Sequence, residues 1–253
     1  MSSKDEIEDR EVAGHLPLRS WCTHCARGKG HEQAHFRQPG REDGLPEAHL
    51  GYAYIGSRSE KNEADDSKLM PVLVMKEKHS KMTMASVVPK KGSFGVFASK
   101  RAMSFLKEIG LDKADLVIKS DQEAAVGALV DDIKRMRNDS RTVVEHSPVR
   151  TPKSNGLIER TVMSIKEQVK VMKSALEARW QRNILDTENV VTWLVEYSAV
   201  LLNRREISKD GKTSYERLKG KRGYIPGVEF GEKILYKKAA GQSGAQAVSS
   251  HVG

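Results

Sequence analysis

Three apolar runs follow one another in the chain, "HLGYAYIG", "LMPVLVMKEK" and "KMTMASVVP", the last two joined only by the polar turn "KEKHSK". Runs of this length and composition read as strands, so the chain must lay down three in succession. In the first, Leu50, Tyr52 and Tyr54 fall on one face and Gly51, Ala53 and Ile55 on the other. Pro71 opens the second, where a missing N–H is tolerated. The pattern then alternates. "SFGVFASKRAMSFLKEIG" reads as a helix with Ser93 as N-cap, Gly110 as its stop and Met103, Leu106 and Ile109 on one face. "ADLVIKSD" is a short buried strand. "EAAVGALVDDIKRM" is a helix with Ala125, Leu129, Ile133 and Met136 at helical spacing, and "RTVVEHSP" is a further strand. A polar loop, "VRTPKSNG", leads to a long helix from about Leu157 to Arg182, striped by Ile158, Val162, Ile165, Val169, Met172 and Leu176. A last helix runs from about Thr187 to Arg204, with Val190, Leu194, Tyr197 and Leu201 inward. Strands in series, then strands alternating with helices, define an α/β layer fold: one mixed sheet flanked by helices.

The flanks differ. Residues 1–14 are charged and read as a loose tail. Residues 15–45 are rich in Gly, His, Arg and Gln and too poor in aliphatics to form a core alone. The layered domain is expected over 46–205. A basic extension covers 206–238, with "YERLKG" and the strand-like "KILYKK", and 239–253 reads as a disordered tail. Lys plus Arg number 43 against 34 for Asp plus Glu, a net charge of +9, which favours polyanion partners. A merely basic soluble protein remains open on charge alone. The only two cysteines, Cys22 and Cys25, exclude a disulfide scaffold. No leading apolar segment and no run of about 18 apolar residues is present, which points to an intracellular protein, nuclear or cytoplasmic, without membrane contact.

A few side chains can carry chemistry. Asp121 ends the buried run Val117–Ser120, at the carboxyl end of a strand, where α/β sheets bind ligands. It equally suits an N-cap for a helix starting at Gln122. Glu159 is placed in the first turn of the long helix, where an acid favours the dipole; Pro152, Asn155 and Gly156 tighten the loop before it. At ~100° per residue, Lys166, Lys170 and Lys173 lie within about 40° of Glu159, a column read as opposite the apolar stripe. A solvated face gives the same pattern; so does a track for a phosphate backbone. Cys22 and Cys25 form C-x2-C with His15 upstream, half or three-quarters of a zinc site, or a free thiol pair.

"KSDQEAA" followed by "EHSPVRTPKSNGLIERTVMSIKEQVKVMKSAL" resembles the catalytic core of retrotransposon integrases, copia-type elements above all. Ser-Asn-Gly before the helical Glu is the specific part. "WCTHCARGKG" upstream and "TSYERLKGK…EFGEKILYKK" downstream resemble the family in the same order, so the likeness covers roughly residues 15 to 240. It implies a ribonuclease H-like fold with a partial N-terminal zinc-binding segment. It implies DNA integration by two Mg²⁺ or Mn²⁺ ions on an Asp, Asp, Glu triad, with DNA and further copies of the chain as partners. Carried over, the second acid is Asp121 and the third Glu159. Lys119, Lys153, Asn155, Lys166, Lys170 and Lys173 become the DNA-contacting set, and His15, Cys22 and Cys25 the zinc ligands.

Two departures stand out. The first acid belongs on the first strand, at the position of Gly51. Glycine within a strand sacrifices packing; here it is expected to be the vacancy left by a metal ligand, with loss of strand transfer. Glu47 is about 13 Å along the strand and His49 about 6.6 Å, at ~3.3 Å per residue, and neither is expected to substitute. Asp65 and Asp66 precede the second strand and are too far along unless their loop folds back. Second, the family's zinc site is His, His, Cys, Cys, and residues 1–14 hold no upstream histidine, so the chain is expected to begin within that segment. His24, His31 or His35 are off-pattern substitutes. The readings left are an impaired integrase core, a working transferase with an unforeseen ligand, or a plain interaction domain.

Overall fold

The computed structural model of the chain describes residues 4–16, 19, 21–28, 44–55, 70–92, 95–146, 152–224 and 227–234, without side chains at 4, 5, 10, 26 and 152–155. Five strands, β1 (Glu47–Ile55), β2 (Met70–Glu77), β3 (Thr83–Val87), β4 (Leu116–Ser120) and β5 (Thr142–His146), form one sheet in the order β3-β2-β1-β4-β5. β1, β2 and β3 pair antiparallel, and β4 and β5 run parallel to β1. The mixed sheet expected from the sequence is therefore present.

Strand alternation sends side chains to two separate cores. On one face Leu50, Leu73, Met75, Leu116 and Ile118 pack against α3 (Phe97–Glu108) and α4 (Ala124–Met136). On the other, Ala53, Ile55, Val72, Val74 and Ala85 pack against α5 (Pro152–Trp180) and α6 (Asn189–Arg205). The α5 stripe is buried as its spacing requires: Ile158, Ile165, Val169, Met172 and Leu176 all lie in this core, with Val162 against it. In α4 the buried set is Val126, Leu129, Val130 and Ile133, while Met136 is exposed, so the inward face is rotated from the expected one. Gly110 adopts φ 76°, the left-handed stop expected after α3. The proposed cap Ser93 lies outside the described residues.

Three boundaries differ from the sequence reading. Residues 4–12, read as loose, form α1 (Lys4–Val12). α2 (Thr23–Gly28) then packs against α5, with Cys22 and Cys25 buried beside Val171. α5 begins at Pro152, five residues before the expected start; proline fits a first helical turn because its missing N–H has no helical partner there. "YERLKG" belongs to α7 (Ser214–Lys219), closed by a Thr213–Glu216 capping box and by Gly220 at φ 69°. Of "KILYKK", 233–234 are irregular and 235–238, like the tail 239–253, lie outside the described residues.

The edge strand β3 is held by a side chain. Asn203 of α6 accepts from Thr83 N–H at 2.9 Å and donates to Thr83 O at 2.6 Å, with both residues buried. An amide here does the work of a further strand. Replacing Asn203 by Ala leaves a buried donor and acceptor unpaired, at about 1–3 kcal/mol each before water enters. The expected outcome is a urea midpoint lowered by the equivalent of about 2–3 kcal/mol at unchanged slope.

Candidate functional site

The last registered pair between β1 and β4 is Leu50 with Ser120. Gly51 is the next residue of β1, and Asp121 is the first residue past the end of β4. Gly51 faces α5: a Cβ placed on it would lie 3.2 Å from Ile158 Cγ1. Ile158 is 2% exposed, and Glu159 beside it in the helix is exposed. Ile158 of α5 thus packs over Gly51 of β1, and Glu159 is its neighbour in the helix.

The structural alternatives for the two acids are weak. α4 begins at Ala124 with Glu123 at its N-cap, so Asp121 does not cap it; its Oδ1 accepts only a long contact, 3.4 Å, from Glu123 N–H. Glu159 falls in the second turn of α5, beyond the N–H groups that an N-terminal acid serves. Its placement in the first turn is corrected by the early helix start at Pro152.

A two-metal site needs several hard oxygen ligands around each ion. Among the described residues, the one group of three or more His, Cys, Asp or Glu donors close enough to share an ion is His15, Cys22 and Cys25. Asp121 and Glu159 are joined by no third acid there. The carboxylate pair does not fit a two-ion centre as it stands. Asp65 and Asp66 lie outside the described residues.

Glu47 and His49 are committed to each other. His49 is 5% exposed, and its Nε2 lies 2.5 Å from Glu47 Oε1. Glu47 also meets Lys78 Nζ at 3.1 Å and Lys119 Nζ at 3.2 Å. Burial pushes the Glu47 carboxyl up, but hydrogen bonds from Lys78, His49 and Lys119 outweigh it and hold it below its ordinary value. Burial dominates at His49, whose pKa is lowered despite Glu47, so the ring is neutral near pH 7. The Nε2 hydrogen then goes to the carboxylate, and the buried Nδ1 has no hydrogen-bond partner among the described residues. The sequence reading weighed these residues only as ligand substitutes. Their i, i+2 spacing on one strand face was the available sign of a pair.

The lysines divide. Lys119 is held between Glu47 and Glu145, the latter 3.1 Å away; burial opposes its charge, but these two bonds raise its pKa. Lys173 is paired with Asp186 and lies 4.0 Å from Glu177. Lys170 is exposed and Lys166 half-buried. The column lies nearer a quarter-turn from the buried stripe than opposite it, at ~100° per residue, which is why Lys166 and Lys173 sink partly into the flank. Lys153 and Asn155 are in the first turn of α5, and their side chains lie outside the described residues.

The second cluster is compact. His15, Cys22 and Cys25 are all buried, with donor atoms within 4.8 Å of one another and Cys22 Sγ 3.4 Å from His15 Nδ1. Ligands on one tetrahedral zinc ion stand at about such separations, given bonds of ~2.0–2.3 Å. Gly14 and His15, at φ 63° and 62°, reverse the chain directly after α1 and carry the imidazole to the cysteines. Histidine is among the few side chains that tolerate this region. His31 and His35 lie outside the described residues.

The strand order and the helices on both faces define a ribonuclease H-like fold. A chain of the cryo-EM structure of the simian T-cell lymphotropic virus intasome in complex with PP2A regulatory subunit B56 gamma matches with TM-score 0.51 and 14% identity, over 84% of this chain and 68% of that one. The catalytic core domain of BIV integrase gives 0.43 and 17%, over 69% of this chain and 94% of that one. The HTLV-2 integrase catalytic core domain in complex with magnesium, a trimeric form, gives 0.44 and 14%, over 69% and 97%. No family model and no curated protein matches the chain. Among the described residues no helix is long and apolar enough to cross a membrane.

Proposed function

We propose that the chain is a retrotransposon-derived integrase core of the copia type that binds DNA and has lost strand-transfer chemistry at one residue. The observation that carries this is Gly51 of β1 beneath Ile158, whose neighbour in α5 is Glu159; the resemblance puts the family's first acid at Gly51. The order of the Ser-Asn-Gly, C-x2-C and C-terminal motifs supports the copia-type assignment. With that acid present, Asp121 and Glu159 would complete a set for Mg²⁺ or Mn²⁺, which supplies water activation and leaving-group stabilisation in phosphoryl transfer. Without it, Asp121 and Glu159 remain two acidic groups at the edge of a nucleic-acid track. His15, Cys22 and Cys25 fit zinc in type and separation, and bound zinc would clamp the end of α1 to α2. DNA and further copies of the chain as partners follow from the integrase resemblance, and the neighbour solved within an intasome is in keeping with that reading.

The test is binding of a short DNA duplex at several salt concentrations. A negative slope of log affinity against log salt is expected, and a slope near zero would leave only a plain interaction domain. Exposed Lys170 and paired Lys173 then separate. Lys170→Ala is expected to weaken binding for all sequences and reduce the slope by about 1. Lys173→Ala, whose charge already meets Asp186, is expected to leave the slope nearly unchanged.

A further inference from the structure

Among the described residues, His15, Cys22 and Cys25 offer three donors, where a closed zinc site takes four. Beside them lies a cavity of about 290 Å³ lined by Glu11, His15, His24, Arg179 and Glu229 among others. Two of these, Glu11 and His24, bring donor atoms of the kinds zinc accepts and lie within a few residues of the trio. His24 is drawn toward α5: its Nδ1 is 2.8 Å from Ser174 Oγ. Cys22 and Cys25, three residues apart, share a face, and His24 sits about 100° round from Cys25. Glu11 has no comparable tie. It is exposed, one residue before the end of α1, and among the described residues it makes neither a hydrogen bond through its carboxylate nor an ion pair. The turn that follows returns the chain onto it, with Gly14 N–H donating to Glu11 O at 3.0 Å and two left-handed residues carrying His15 back. The backbone thus fixes where Glu11 sits relative to His15, while its side chain keeps the freedom to turn into the cavity.

We propose that Glu11 supplies a carboxylate oxygen as the fourth ligand of a zinc ion on His15, Cys22 and Cys25. This rests on the zinc reading of those three residues. It places an acid four residues before His15, one helical turn away in sequence, at the fourth position of the site. Carboxylate oxygen bonds zinc at ~2.0–2.2 Å, and a glutamate has the length to reach from a helix end.

The experiment uses the full chain, loaded with Zn²⁺ and, separately, with Co²⁺ as a spectroscopic substitute. Metal content is measured by mass spectrometry and affinity by competition with a chromophoric chelator. Glu11→Gln is expected to weaken Zn²⁺ binding by at least about 10-fold, the lower end even for outer-shell partners, and to alter the visible bands of the Co²⁺ form. Glu11→His is expected to bind at least as tightly as the unmodified chain. His24→Gln and Glu8→Gln are expected to change neither readout. Unchanged affinity and spectrum in Glu11→Gln would overturn the assignment of Glu11, and a selective loss in His24→Gln would move the ligand there. If Glu11→Gln fails to fold, weaker binding in Glu11→His would overturn it equally. No metal taken up by the unmodified chain would instead overturn the zinc reading underneath.

Discussion

Gly51→Asp is expected to give the chain Mn²⁺-dependent cleavage or joining of a short DNA duplex that the unmodified chain lacks. The new carboxylate would stand one residue past the last β1–β4 pair, as Asp121 does at the end of β4, and beneath Ile158, the neighbour of Glu159 in α5. Three acids from three elements would then face one volume, the donor set that paired divalent ions require. Single catalytic stabilisers are worth roughly 10²- to 10³-fold, and a missing metal ligand should cost at least that. The substitution meets one obstacle. Its Cβ would lie 3.2 Å from Ile158 Cγ1, so Ile158 must move by a few tenths of an ångström. Ile158→Val sheds the terminal methyl and eases that shift at about 0.5–1.5 kcal/mol, so the double variant is expected to be at least as active as the single one. A second readout needs no turnover. Without metal, two neighbouring carboxylates repel and the new one is partly desolvated, so Gly51→Asp is expected to lower Tm. Added Mn²⁺ should restore Tm in the variant and leave the unmodified chain unmoved, by the usual linkage of ligand to the folded state. A folded, DNA-binding Gly51→Asp protein with neither effect would show that more than one residue separates this chain from activity. Joining by the unmodified chain would mean that another group completes the site.

Much of the fold was legible beforehand, for identifiable reasons. Alternation in "HLGYAYIG" and the step of three and four along α5 are periodic signals spread over many residues, so local exceptions do not erase them. The role given to Gly51 follows from the motif order alone, since the parallel register with β4 ends at Leu50 and Ser120, one residue short of Gly51 and Asp121. Individual contacts were not legible. Lys173 meets Asp186 because the chain turns back after α5, a long-range event that no helical wheel contains. Lys119 meets Glu145 across the β4–β5 pairing, which likewise depends on topology. Helix α1 was missed because its sequence, "KDEIEDREV", carries only two apolar residues, Ile7 and Val12, too few to mark a face. It is held at its end instead, by a glycine and a histidine in a tight turn.

That turn carries the second large effect. Gly14 has φ 63°, and a Cβ there would lie 2.1 Å from Leu201 Cδ1 and 3.2 Å from Met172 Sδ. Leu201 is fully buried and cannot swing clear into solvent. The Gly14 carbonyl also accepts from Gln168 Nε2 at 2.5 Å, with Gln168 buried in α5. A side chain at this position therefore meets both a left-handed backbone, about 1–2 kcal/mol for a non-glycine residue, and an overfilled core, about 1–3 kcal/mol. Gly14→Ala is expected to release the N-terminal helices from α5 and α6 while the sheet stays folded. Cys22 and Cys25 report this directly, being the only two thiols in the chain and both buried against Val171. In the presence of a chelator, so that packing alone protects them, their reaction with a maleimide is expected to accelerate by about 30-fold or more, the equivalent of about 2 kcal/mol in the opening equilibrium. Gly28→Ala should act alike, since its Cβ would meet Val171 Cγ2 at 2.5 Å and the Glu167 carbonyl at 3.1 Å. Gly127→Ala, with open space around it inside α4, should change nothing. Equal labelling rates in all four proteins would mean that the segment is held elsewhere. Fast labelling confined to Gly14→Ala and Gly28→Ala, with hydrogen exchange in β1 and β2 unaltered, would mark the N-terminal helices as a separately unfolding unit seated on the core through two glycines. Zn²⁺ on His15, Cys22 and Cys25 would then stabilise the docked form by binding it in preference to the open one.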